Sequence, residues 1–248
     1  MEKKIYSNNF LKNVIFRIDF VNQVDMNSFI EKNINEIRKH YPFNSAVQSK
    51  HDNIKLTEKT VEKETIEYTN QIFFNKDRTA RIDINPTCLI IDYNKYVDFE
   101  PLYNDIEFIF DLLIKNTDIT VGRTGLRYIN IFENSDLKSI EWGKYIKTNM
   151  LFDEDWDGFN VLQHMSVANL KCDDCLIKVQ YGLFNGELPN DRVKDCYILD
   201  IDASSFQMCD LNVVKSQIRN WNDNIRKVFE NSITDEMREL LNGESSRL

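Results

Sequence analysis

Val14-Ile15-Phe16-Arg17-Ile18-Asp19-Phe20 sets the first element of the fold. Val14, Phe16, Ile18 and Phe20 fall on one side, and Arg17 and Asp19 fall on the other with Ile15. Side chains of an extended chain alternate with period two, so this stretch predicts a half-buried strand. The period then changes. Ile30, Ile34, Ile37 and Tyr41 recur at steps of four, three and four residues, which is helical spacing. Asp25 to Ser28 supply N-cap candidates and Pro42 supplies the stop. A strand with one apolar face followed by a helix with one apolar stripe calls for a sheet covered by helices.

The same two periods continue outward. Residues 65–74 are rich in β-branched and aromatic side chains, 80–85 alternate, and 88–93 follow a turn at Pro86-Thr87. A second helix begins near Pro101 and carries Leu102, Ile106, Ile109 and Leu113. A long strand spans 121–132, and the acidic segment after it holds Trp142 and Trp156. Residues 161–170 and 176–184 read as a hairpin turning at Asp173-Asp174, and 196–202 as one more strand. The last long helix has its stripe at Val214, Ile218, Trp221, Ile225 and Val228, with a short helix at 235–241. The expected class is α+β, with antiparallel sheets covered by helices. Residues 1–135 form a ferredoxin-like β-α-β-β-α-β half. Residues 136–160 connect it to a reduced β-β-β-α half over 161–248, packed with the first as one unit.

Composition narrows the function classes. Aromatic residues make up 12% of the 248 residues and there are only 7 Gly and 4 Pro, which excludes disorder and long flexible linkers. The formal net charge of -9 opposes the approach of nucleic acid, whose binders neutralise phosphates with a basic face. No apolar run approaches the roughly 20 residues of a membrane span, and the first residues lack the apolar core of a signal peptide. An odd count of five Cys in a chain of this size suits a reducing compartment. A cytoplasmic protein with no membrane association is expected.

Four constellations carry chemistry. Asp153-Glu154-Asp155-Trp156-Asp157-Gly158 begins like a calcium loop, with Asp153, Asp155 and Asp157 as candidate ligands. Its twelfth position is His164 where a bidentate Glu belongs, so a solvated acidic loop is the competing reading. Cys172-Asp173-Asp174-Cys175 has the spacing of a metal or redox pair but no second ligand pair, and two cysteines flanking a tight turn is the favoured reading. Asp200 and Asp202 lie on one face of a strand, as the metal-binding carboxylates of a phosphoryl-transfer enzyme would. No phosphate-cradling loop accompanies them. Finally, Gly122-Arg123-Thr124-Gly125-Leu126-Arg127-Tyr128-Ile129-Asn130 puts two glycines at the start of a strand, which suggests a bulge. Arg123, Arg127, Tyr128 and Asn130 are candidates to hold a small anionic ligand, against a structural strand with surface ion pairs. No cofactor fingerprint is present, and the chemistry leans away from an enzyme.

Gly125-Leu126-Arg127-Tyr128-Ile129-Asn130 resembles the central motif of a sporadically distributed bacterial protein family of uncharacterised activity. Asn13 to Phe20, Leu199-Asp200-Ile201-Asp202 and Phe229-Glu230-Asn231-Ser232-Ile233-Thr234 are similar to its opening strand, a later strand and its closing helix. The resemblance spans nearly the whole chain and implies an accessory role in phage defence or a toxin–antitoxin-like system. It brings no catalytic residues. The expected function is therefore a non-enzymatic intracellular binding protein with a protein partner, one encoded by a neighbouring gene, with homo-oligomerisation also open. Trp142, Trp156 and Phe159 are the candidate contact residues, since aromatic side chains dominate interface hot spots.

Overall fold

The opening alternation becomes β1 (Leu11–Phe20), with Val14, Phe16 and Ile18 fully buried. The computed structural model describes residues 5–56, 60–116, 118–133, 140–152, 156–159, 161–190 and 196–243. Helix α1 (Met26–His40) starts where the Asp25 carboxylate accepts the Ser28 amide at 3.1 Å, satisfying one of the unpaired first-turn donors. Four strands follow: β2 (Phe43–Leu56), β3 (Val61–Phe74), β4 (Ala80–Ile84) and β5 (Cys88–Tyr93). Helix α2 (Phe99–Asn116) leads into β6 (Val121–Glu133). Two short 3-10 turns, at Trp142–Lys144 and Thr148–Met150, precede β7 (His164–Lys171), β8 (Leu176–Leu183) and β9 (Cys196–Ser205). Helices α3 (Leu211–Ser232) and α4 (Asp235–Leu241) end the described chain. No described helix is long and apolar enough to cross a membrane.

All nine strands join one sheet in the order β2-β3-β4-β5-β1-β6-β9-β8-β7, with every neighbouring pair antiparallel. The α+β class, as an antiparallel sheet covered by helices, holds. The first half departs from β-α-β-β-α-β, because four strands lie between α1 and α2. The strand without a sequence signal is β2, an edge strand whose Phe43, Ala46 and Val47 are all exposed. Hydrophobic alternation reports burial, and a strand wet on both faces has none to report. Backbone pairing to β3, from Phe43↔Phe74 to Leu56↔Val61, holds it instead. The two halves share the sheet, since β6 pairs with β9 from Thr124↔Ser205 to Glu133↔Cys196.

Pairing sorts the side chains into two faces. Val14, Phe16 and Ile18 lie opposite Tyr128, Leu126 and Thr124, and the last strands add Leu199, Ile201 and Ala203 to the same side. This face carries the core, packed with Phe29 of α1, Ile109 and Phe110 of α2, Ile218 and Trp221 of α3, and Met237 of α4. Trp142 also belongs to it. The Trp142 ring packs 5.4 Å from that of Tyr197 and is buried, so it is a core residue and not the contact residue expected from sequence. The opposite face presents Ile15, Arg17, Asp19, Ile90, Arg127, Ile129 and Asp202, all partly or fully exposed. At one place the sheet admits only glycine. A Cβ on Gly182, at φ +143°, would lie 2.0 Å from the His164 carbonyl oxygen.

A half-buried carboxylate ties three elements together. Tyr41, at the end of α1, and Tyr93, on β5, both donate hydrogen bonds to Asp105 of α2. Burial pushes the Asp105 carboxyl above the ordinary carboxylate range, with the two tyrosine bonds opposing the shift. The folded state therefore holds this proton more tightly than the unfolded chain does. Its contribution to stability is complete below the ordinary range and is lost as pH rises through the raised value. Asp105→Asn cannot ionise, so its unfolding midpoint should improve relative to the wild type as pH rises from about 4 to 7. Denaturant titrations at several pH values check this; a difference that stays constant, or moves the other way, contradicts it.

Candidate functional site

The glycine-rich start of β6 forms the expected bulge. The β1–β6 register shifts between Asp19↔Arg123 and Phe20↔Val121, leaving Gly122 as the extra residue. A Cβ there would crowd Val21 Cγ2 at 3.2 Å. Beyond the bulge, Arg123 and Arg127 sit on the open face of the sheet, and so do Asp200 and Asp202 of β9.

The two constellations expected from sequence are one ion-pair array. Arg127 holds Asp200 bidentately, with Nε 2.8 Å from Oδ1 and Nη2 bonded to Oδ2. Arg123 places Nη1 3.6 Å from Asp19 and Nη2 3.9 Å from Asp202. Arg17 Nε in turn donates to Asp19 at 2.7 Å. Donating these hydrogen bonds to Asp200 raises the Arg127 guanidinium further. Burial pushes Asp202 up, opposed by Arg123 and Arg127. Planar guanidinium groups suit this bidentate geometry and stay charged throughout. A catalytic metal would have to displace Arg127 to reach Asp200, and an anionic ligand would have to displace carboxylates to reach Arg123 or Arg127. Among the described residues, no three His, Cys, Asp or Glu side chains are grouped to hold a metal ion.

Tyr128 and Asn130 turn the other way. Alternation places them on the helix-covered face, where the Tyr128 hydroxyl donates to Asn222 Oδ1 at 2.7 Å and lies 2.9 Å from the Tyr96 hydroxyl. Asn130 Nδ2 donates to the Leu199 carbonyl at 3.0 Å. Burial lifts both the Tyr96 and Tyr128 hydroxyls well above their ordinary value, so both stay neutral. These residues line a cavity of about 100 Å³ bounded by the segment from Ile5 to Leu11, the loop before α2, and α3. The sequence set of four thus splits into two pairs on opposite faces, as period two alone requires. Asn222 was missed. Its signal is a polar residue one turn after Ile218, inside the apolar stripe of α3.

The remaining candidates are structural or lie elsewhere. Asp153 and Asp155 fall outside the described residues. Asp157 is exposed at φ 32°, between the exposed Trp156 and Phe159. His164 stacks on Phe152 at 3.7 Å, with Nε2 2.9 Å from Ser166 Oγ, so it serves packing. Cys172 and Cys175 close the β7–β8 turn, the Cys172 amide donating to the Cys175 carbonyl at 2.9 Å. Burial, followed by the neighbouring Cys172, pushes the Cys175 thiol up to about 12, the opposite of an activated thiolate.

Comparison of the chain with protein-family models and with curated proteins finds no match.

The ion-pair array predicts a stability effect. Arg127→Ala leaves the buried Asp200 carboxylate without its two donors and should cost about 2 kcal/mol. Arg127→Lys should restore less than half of that, because an ammonium cannot make two parallel bonds. Equilibrium unfolding in urea measures both, and an unchanged midpoint for Arg127→Ala would contradict the assignment.

Proposed function

We propose that the chain is a non-enzymatic binding protein of the bacterial cytoplasm, one component of a phage-defence or toxin–antitoxin-like system, which takes a protein partner on the open face of its sheet. One observation carries this reading. Ile15, Ile90, Ile129, Ile131 and Ile198 are half-buried on a face that the helices leave bare, among charges already paired within the chain. Apolar area interleaved with pre-positioned charge is what a specific interface needs, because the apolar part supplies affinity and the fixed charges supply register. Carboxylates already bound to Arg do not have to be stripped of water and ordered at the moment of docking. The net charge of -9 favours a basic partner and disfavours nucleic acid itself. The resemblance of the β6 motif to a patchily distributed bacterial family supports the accessory-system setting.

We also read β4-β5-β1-β6 with α1 and α2 as a ferredoxin-like unit carrying β2 and β3 as an added hairpin. On this reading β7, β8, β9 and α3 form the reduced second unit. Its exposed Trp156 and Phe159 lie on the loop before β7 and extend the contact surface.

Co-expression with the products of adjacent genes tests the function. One pairing should give a stable complex by size-exclusion chromatography with light scattering. Lys178→Glu, a charge reversal at an exposed position of β8 on that face, should weaken it about ten-fold without altering the fold. A chain that elutes alone with every neighbour, or as a dimer of itself, counts against a heterologous partner.

A further inference from the structure

The cavity beneath β6 has features that a packing defect would not. Its floor is polar, although it lies under the apolar stripe of α3. Asn130 and Asn222 are 3% and 4% exposed, and both line it. Tyr128 has a single hydroxyl proton and gives it to Asn222 Oδ1, so Tyr96 must donate in turn to the Tyr128 oxygen. This chain of bonds fixes the orientation of the Asn222 carboxamide and leaves its Nδ2 group aimed elsewhere. Among the described residues, Asn222 Nδ2 has no hydrogen-bond partner and neither has Asn130 Oδ1. Both residues line the cavity, and neither atom is among the sealed, unpartnered polar atoms of the interior. A donor and an acceptor, held by second bonds to Tyr128 and to the Leu199 carbonyl, thus stand ready on one floor. Buried polar groups normally find partners, and among the described residues none supplies one here.

The walls define its shape and charge. Phe10, Val97, Phe99, Ile225 and Phe229 line it with apolar and aromatic surface suited to a flat ring. Glu230 is already committed to Tyr6 at 2.6 Å and to Arg238 at 2.9 Å. Asp98 and Arg226, of opposite charge, both line it, and both are engaged. The site therefore offers an anion no free cation. At about 100 Å³ it takes one ring, with any fused ring or substituent projecting past Val97.

We propose that this cavity is a binding site for a neutral, planar heteroaromatic ring of the nucleobase class, whose edge pairs with Asn222 Nδ2 and Asn130 Oδ1 while its faces pack between Phe10 and Phe229. Carboxamides read such edges with a donor and an acceptor side by side. The site lies on the helix-covered face, so it is independent of partner binding on the open face.

Isothermal titration of the full chain with adenine, guanine, cytosine and uracil, alongside indole and benzoate, tests it. One base should bind saturably with a Kd on the order of 10–100 μM, within the ligand-efficiency ceiling for so few atoms. Indole has the shape without the paired edge and should bind about ten-fold more weakly; benzoate, an anion, should not bind. Asn222→Ala should lose about ten-fold in affinity. Because that variant also strips Tyr128 of its acceptor, Val97→Trp provides a second route: Val97 is 67% exposed at the mouth, so a larger ring there blocks entry without touching the core. No binding by any base, equal binding of indole, or base binding unchanged in both variants would each overturn the proposal.

Discussion

One-sided burial of β1 and β6 is the constraint from which the rest follows. Val14, Phe16, Ile18, Leu126 and Tyr128 must lie beneath α2 and α3, because these two strands occupy the middle of the sheet. Once they do, period two leaves every intervening residue no choice of face. Arg127 cannot join Tyr128, and Asp200 cannot join Ile201. The register carries that division through β5 and β4 on one side and β9 and β8 on the other. Helices on one side and paired charge on the other are two consequences of the same packing.

That division explains which parts of the molecule were legible beforehand. The strands with one buried face, β1, β4, β5, β6 and β9, announce themselves by alternation, and α1 and α3 by their stripes. The β2 edge strand does not, since its side chains over residues 43–50 are wet on both faces and pairing of its backbone needs no particular sequence. Trp142 misled for a related reason. An aromatic residue in an acidic, irregular segment looks exposed, but the segment folds back across the sheet and the indole finds Tyr197.

The site was legible only in pieces. Arg123, Arg127, Asp200 and Asp202 were all visible as chemistry-bearing residues, yet nothing in a linear sequence joins positions that lie more than seventy residues apart, as Arg127 and Asp200 do. The structure joins them in one ion-pair array. Tyr128 and Asn130 show the converse case. They were grouped with the arginines by proximity in sequence, while their alternation already separated them. What they line could not be read without α3, which brings Asn222 across from a distant part of the chain.

A wide sheet with one bare face is the central physical claim, and solvent footprinting of the isolated chain addresses it directly. Hydroxyl radicals modify aliphatic and aromatic side chains in proportion to their contact with water. Ile15, Ile90 and Ile129 should be modified measurably in the free chain, while Val14, Phe16 and Leu126, their neighbours in sequence or across the sheet, remain protected. Equal protection of both sets would mean that the open face is covered, and the account would be wrong.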